Sequence, residues 1–270
     1  MKKLRLIAIL ALVVLSALTF VACDGNNTEL EDWDYITSRN KIIVGYDAGG
    51  FPPFGYKEGG AGDLIGFDIE VSKAVATYLG IEVEYRGLDW DMKEQELKTK
   101  LVDVVWNGFV ITDARLKELN FSIPYITNGT CVVVRADSPY TKISDLAGKK
   151  IAYQSGSNVI DYINENATLK DCVKQPVESE VSAVTQDLKN NLVEAVVQGE
   201  LVAQDTVAKN PEQFKILEER LTLNYVGVGM RKGDNILAFK ISMALRALKA
   251  NGTLDPIAVK YFGSADILLV

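Results

Sequence analysis

The chain has 270 residues, enough for one large or two modest domains after any leader is set aside. Its 29 Lys and Arg against 36 Asp and Glu give a formal charge of −7, which argues against nucleic acid, whose phosphates need a basic surface. There is no histidine, so Ser-His-Asp and Cys-His nucleophile activation and the commonest zinc ligand are excluded, and neither a metal nor a cofactor is expected.

The first residues, Met-Lys-Lys-Leu-Arg, precede an uncharged run from Leu6 to Ala22 and then Cys23. A basic start, an apolar core and a small residue before the cut make residues 1–22 an export signal. As a membrane span the run is slightly short of the roughly 20 residues that a bilayer core requires. Phe20-Val21-Ala22-Cys23 resembles a bacterial lipoprotein box, with Phe20 where Leu is usual; the resemblance implies lipid on Cys23 and anchoring to the membrane. A plain secretory peptide followed by a free cysteine is the alternative. Residues 23–37 are polar and acidic and read as a short tether.

Past the tether, short β-branched runs alternate with helical periods. Strands are predicted over 41–46, 82–86 and 102–106, and helices over 68–79 and 92–100. The alternation resumes with strands over 131–135, 150–154, 172–175 and 193–197, a helix from Asn158 and another over 179–190. Asn224 to Met230 is again strand-like, and Asn235 to Ala250 is a periodic helix stopped by Asn251-Gly252. The pattern is α/β with mostly parallel sheets. The irregular stretch from Pro124 to Thr130 separates two series, which favours two lobes over a single sheet. If the C-terminal stretch rejoins the first series, the chain crosses between lobes twice, near 126–130 and 222–226. Lobe 1 is then 38–126 with 226–270, and lobe 2 is 127–225, with a hinge and a ligand cleft between them. Cys131 and Cys172 form one bridge or two buried thiols. There is no Walker loop, and Gly227-Val-Gly-Met-Arg-Lys-Gly has the wrong spacing for a dinucleotide fingerprint.

Eight short motifs occur in order: Asp47 with Phe51-Pro52-Pro53-Phe54; Gly66-Phe67-Asp68-Ile69-Glu70; Trp106-Asn107-Gly108; Ile111-Thr112-Asp113-Ala114-Arg115; Phe121-Ser122-x-Pro124-Tyr125; Asp145-Leu146-x-Gly148-Lys149; Gln154-Ser155-Gly156-Ser157; and Asn251-Gly252-Thr253-Leu254. Together they resemble the polar amino-acid-binding proteins of bacterial ABC importers, extracellular solute-binding protein family 3. The resemblance runs from about residue 38 to 263. It implies a two-lobed periplasmic-binding-protein-like fold of type II, with two hinge crossings and one amino acid held in the cleft without covalent chemistry.

By the same resemblance, Arg115 forks onto the ligand's α-carboxylate, a task suited to a planar, permanently charged, bidentate group. Gly108 lies in the adjoining ligand-binding run, and Phe51 and Trp90 flank the ligand, with core packing the alternative for either ring. Ser157 and Asn158 face the ligand from a helix N-terminus in the second lobe. Asp47 reads the ligand's distal end or caps its own loop. Two positions depart from the family pattern. Val110 stands where a ligand-binding threonine is common, and Gly199 stands where an aspartate usually pairs with the α-ammonium; Glu200 is the neighbouring substitute. The expected function is a monomeric substrate-binding lipoprotein on the extracytoplasmic face of the membrane, delivering an amino acid or related carboxylate to ABC permease subunits. The alternatives are a cyclohexadienyl-dehydratase-like enzyme, with Glu200 the one cleft-adjacent acid, or a ligand-sensing component acting through another protein.

Overall fold

The structure of the protein is a computed structural model, described for residues 32–177 and 181–270. The predicted export signal, Cys23 and the tether as far as residue 31 lie outside the described residues. In chain order the strands are β1 (Lys41–Asp47), β2 (Tyr56–Lys57), β3 (Leu64–Ile65), β4 (Glu82–Leu88), β5 (Val104–Val105), β6 (Leu119–Phe121), β7 (Ile126–Arg135), β8 (Lys150–Gln154), β9 (Val173–Val177), β10 (Ala195–Gly199), β11 (Phe214–Ile216), β12 (Thr222–Val226) and β13 (Gly229–Arg231). The helices are α1 (Asp32–Ser38), α2 (Phe67–Leu79), α3 (Lys93–Lys98), α4 (Asp113–Glu118), α5 (Val159–Glu165), α6 (Val181–Lys189), α7 (Glu200–Lys209), α8 (Asn235–Ala250) and α9 (Leu254–Phe262).

Two sheets make two lobes. The first has the order β4-β1-β5-β13-β6, with β1 parallel to both β4 and β5 and β13 antiparallel to β5 and β6. In the second, β8 is parallel to β9 and β10, while β7 runs antiparallel to β10, β11 and β12. Both sheets are therefore mixed rather than mostly parallel, because the strands that carry the chain between lobes return against their neighbours.

Sequence pattern explains the layers. The β1 run KIIVGYD is buried at six successive positions, as a strand covered on both faces should be. In the second sheet the alternation has period two: Val132, Val134, Ile151 and Ala195 enter one apolar cluster, while Cys131, Val133, Ala152 and Val196 enter another on the opposite face. That alternation also settles the cysteines. Cys131 and Cys172 belong to different clusters, and both are buried free thiols.

Three sequence expectations are corrected. Residues 32–37 are not tether: they belong to α1, whose Ile36 is fully buried, and the Asp32 carboxylate accepts from the Leu237 N–H at the start of α8 (3.0 Å). The stretch from Pro124 to Thr130 is not irregular, since β7 begins at Ile126. Asn224 to Met230 is not one strand but the end of β12 and the start of β13, in different sheets and joined through Gly227 and Val228. At this crossing Ile126 pairs with Val226, so the two connecting strands are bonded to each other.

Gly66, just before α2, has φ +136°, and a Cβ there would lie 2.2 Å from the Phe54 carbonyl oxygen. Backbone obstructs the side chain and the dihedral disfavours it, so neither penalty relaxes cheaply. Gly66→Ala is expected to destabilise the protein by about 2 kcal/mol or more, read as a lowered denaturant midpoint at unchanged slope.

Candidate functional site

Arg115 sits on the short helix α4, whose N-cap is Thr112: the threonine Oγ1 accepts from the Arg115 N–H at 3.2 Å. The Thr-Asp-Ala-Arg spacing is thus a capping unit that fixes the arginine backbone. The guanidinium lies 4.2 Å from the centroid of the Phe109 ring, and its Nη1 donates to the Val110 carbonyl at 2.8 Å. Glu94 is 3.6 Å from Nε. Burial pulls the guanidinium pKa down from its ordinary value, with Glu94 opposing, yet an arginine stays charged in such a setting. Nη2 has no hydrogen-bond partner among the described residues.

The Arg115 side chain lines a cavity between the lobes of about 620 Å³, its open mouth included. From the first lobe come Phe51, Trp90, Gly108 and Val110. Gly108 has φ +61°, and a side chain there would strike the Phe51 ring, 2.8 Å from a built Cβ. Its N–H donates to the Asp68 carboxylate (2.6 Å), which also accepts from the Tyr125 hydroxyl (2.6 Å). Trp90 packs edge-on against Phe109, so it serves both core and cavity wall.

From the second lobe, Ser157, Asn158 and Gly199 line the cavity. The Ser157 hydroxyl donates to the Gln154 carbonyl (2.7 Å) and the Asn158 amide to the Tyr162 hydroxyl (3.2 Å), so both are already engaged within their own turn. Five further polar residues line it that sequence reasoning did not assign to the site: Asn128, Thr130, Gln154, Gln198 and Asn224. Asn128 and Thr130 share a face of β7, and Asn224 lies opposite Asn128 on β12. Polar residues at alternate places in the otherwise β-branched run from Ile126 were the signal available.

Two predicted site residues fall elsewhere. Glu200 does not line the cavity; its carboxylate pairs with Arg220 at 2.6 Å, so it cannot stand in for an acid at position 199. Asp47 is also absent from the lining, being buried and bonded to the Gly49 N–H (2.9 Å) and the Gln154 amide (2.6 Å). That last bond crosses between lobes. So do Lys93 Nζ to the Gly156 carbonyl (3.0 Å) and the Ser155 hydroxyl to Asp91 (3.1 Å). The cleft is closed, and Asp47 helps to close it.

The family model for bacterial extracellular solute-binding proteins, family 3, matches residues 42–264. The chain belongs to this family. As a family 3 solute-binding protein it is 30% identical over 234 residues to the L-cystine-binding protein TcyJ of Escherichia coli (strain K12), covering 86% of each chain. It is 30% identical over 257 residues to the arginine-binding extracellular protein ArtP of Bacillus subtilis (strain 168), covering 94% of this chain and 97% of that one. A solved ABC uptake transporter substrate-binding protein from Streptococcus pneumoniae, with bound histidine, superposes with a TM-score of 0.81 at 28% identity, covering 89% of this chain and 99% of that one. The solute-binding protein accordingly has the type II periplasmic-binding fold and belongs outside the cytoplasm.

Its buried carboxyls make stability depend on pH. Burial pushes Asp68 up to about 7 and Asp47 up to about 6, against hydrogen bonds that lower both. Each binds its proton more tightly folded than unfolded. Their contribution is therefore full below the ordinary carboxylate range and lost as pH rises through about 6 for Asp47 and about 7 for Asp68. In the solute-binding protein Asp68→Asn is expected to remove the second component. Relative to the native chain, the variant should gain on the order of 3 kcal/mol between pH 4 and pH 8, measured by urea unfolding across that range.

Proposed function

We propose that the protein captures a small carboxylate ligand in the interlobe cavity and delivers it to the permease of an ABC importer, with Arg115 holding the carboxylate. The observation that carries this reading is the guanidinium itself: charged, anchored by one nitrogen to Val110, packed on Phe109, and lining the cavity between the lobes with part of its N–H fork unengaged. In a site shielded from water an ion pair of that kind is worth more than at a surface, and a fork of N–H donors matches a carboxylate. Phe51 and Trp90 form the apolar sides of the slot, Gly108 and Val110 the floor beside Arg115, and Ser157, Asn158 and Gly199 the facing wall. The named relatives bind cystine and arginine, and an amino acid or a close relative is the ligand class proposed for this cavity.

Binding without covalent chemistry is part of the proposal. The dehydratase alternative required a cleft carboxylic acid, and Glu200 is paired with Arg220 away from the lining. The lobe division at 126 and 226 is supported by the pairing of Ile126 with Val226, where both connections pass.

Arg115→Lys is expected to weaken binding of the transported ligand about tenfold or more, about 1.4 kcal/mol, because a point charge loses one arm of the fork. Isothermal titration reads this directly, and unchanged affinity would remove the carboxylate assignment.

Anchoring through Cys23 rests on the Phe20-Val21-Ala22-Cys23 box. Among the described residues no helix is long and apolar enough to cross a membrane. Lipid chains contribute about 0.8 kcal/mol per buried methylene, ample to hold a monomer at the membrane surface. Cys23→Ser should therefore abolish incorporation of labelled fatty acid and shift the protein from the membrane fraction to the medium or periplasm. Labelling that persists in the variant would place the lipid elsewhere.

A further inference from the structure

We propose that the cavity selects a carboxylate whose α-position carries a hydrogen-bond-accepting oxygen, a 2-oxo or 2-hydroxy acid, over the α-ammonium of an amino acid, and that Asn128 makes this choice. The inference rests on the reading of Arg115 as the carboxylate anchor.

Asn128 is 7% exposed and lines the cavity. Its Oδ1 accepts from two backbone N–H groups, those of Gly129 (2.8 Å) and Leu201 (3.1 Å). A carbonyl oxygen can serve two donors and an amide nitrogen can serve none, so the network fixes the orientation of the side chain. Nδ2 must then point the other way, and it donates to none of the described residues. The direction is known. A Cβ built on Gly199 would lie 3.1 Å from Nδ2, so the bare glycine leaves this N–H₂ open to the cavity wall.

This donor stands close to Arg115. Val110, whose carbonyl holds the guanidinium, is bridged to Val226, and Asn224, two residues back on the same strand, pairs with Asn128. Two strand residues span roughly 7 Å, within reach of one small ligand. Two residues further along β7 the Thr130 hydroxyl already accepts from the Asn224 amide (3.0 Å), which leaves its own proton to donate.

Gln198 adds a second unsatisfied group. It is 8% exposed, lines the cavity, and neither its Oε1 nor its Nε2 has a hydrogen-bond partner. A buried primary amide without partners is unfavourable unless something else satisfies it. Because this amide can present either end, it tolerates both ligand types and does not decide between them. Asn128 does decide.

An α-ammonium has only donors and a positive charge. It would meet the donor of Asn128 beside the cation of Arg115, and no carboxylate is among the described residues that line the cavity. A buried charge so placed is met by no opposite charge from the cavity wall. A keto or hydroxyl oxygen accepts from the same Nδ2 and from Thr130, and charge then balances with one carboxylate on one guanidinium.

The test uses the mature protein and three matched series: the α-amino acids, their 2-oxo acids and their 2-hydroxy acids, titrated by calorimetry. Asn128→Asp is nearly isosteric and keeps both backbone N–H bonds through Oδ1 while turning a carboxylate oxygen toward the cavity. The native protein should bind at least one 2-oxo or 2-hydroxy acid at least tenfold more tightly than its amino counterpart, and Asn128→Asp should shift that ratio at least tenfold toward the amino acid. If every matched pair favours the amino acid in the native protein while Arg115→Lys still weakens binding, the inference is overturned and the carboxylate reading stands. A native preference that Asn128→Asp leaves unmoved overturns the role of Asn128. Binding insensitive to Arg115→Lys, or no binding in any series, overturns the carboxylate reading and the inference with it.

Discussion

The antiparallel pairing of β7 with β12 is the constraint on which the molecule depends. Both strands carry the chain between lobes, and their register, Ile126 to Val226 through Thr130 to Thr222, bonds each crossing to the other. The same pairing builds part of the site. Along one face of β7 the residues are Asn128 and Thr130 where the strand borders the cavity, then Val132 and Val134 where it enters the second core. A period of two keeps these four side chains on one side, so a single strand supplies hydrogen-bonding groups to the cleft and apolar groups to the lobe. The polar members are tied together: Tyr162 donates to Asn224 (2.9 Å), which donates to Thr130 (3.0 Å). Buried networks of this kind hold their members in fixed orientations.

Among the described residues, hydrogen bonds, the packing of Leu201 and Val202 on the first-lobe core and Lys209 over the Tyr56 ring join the lobes. Asp47 with Gln154, Lys93 with Gly156 and Asp91 with Ser155 link the lobes. Hydrogen bonds exchanged against water contribute about 1 kcal/mol each, and ordering the side chains offsets part of that. A ligand touching both walls adds contacts that only the closed form can make.

The charged groups around the cleft share one cause of perturbation. Burial raises Asp47 and Asp68, lowers Lys93 to about 8, and lowers Arg115. Asp47, Asp68 and Lys93 are held by hydrogen bonds to backbone, amide or hydroxyl groups, and Arg115 by the Val110 carbonyl with Glu94 3.6 Å from Nε. Asp68 sits behind Gly108 and fixes the backbone of the cavity floor, and Lys93 spans from the Trp90 carbonyl to Gly156. Removal from water strengthens what remains unpaired, and the arm of Arg115 that faces the cavity is the strongest such group there.

Most strands of the two main sheets, several of the helices and the family were legible in the sequence because they follow from local pattern: β-branched runs, helical periods, and short motifs whose spacing is fixed by one turn. The Thr112 cap under Arg115 is of this kind, since N-cap and arginine are three residues apart. Phe51, Trp90, Gly108, Val110, Ser157, Asn158 and Gly199 could likewise be assigned to the cavity wall from motifs alone. What sequence misjudged depended on partners far along the chain. Asp47 does cap its own loop through the Gly49 N–H, but its other oxygen is taken by Gln154, 107 residues away, and Glu200 looked like a site acid until Arg220 drew it aside. The helix from Asp32 is ordered by α8, more than two hundred residues on. Asn128 is the sharpest case: its residue type is plain in the sequence, but which end of its amide meets the cavity is set by the N–H groups of Gly129 and Leu201, the second supplied by an element 73 residues away. Local pattern determines which face a side chain occupies; hydrogen bonds between distant segments determine which atom it presents, and only the tertiary structure brings those segments together.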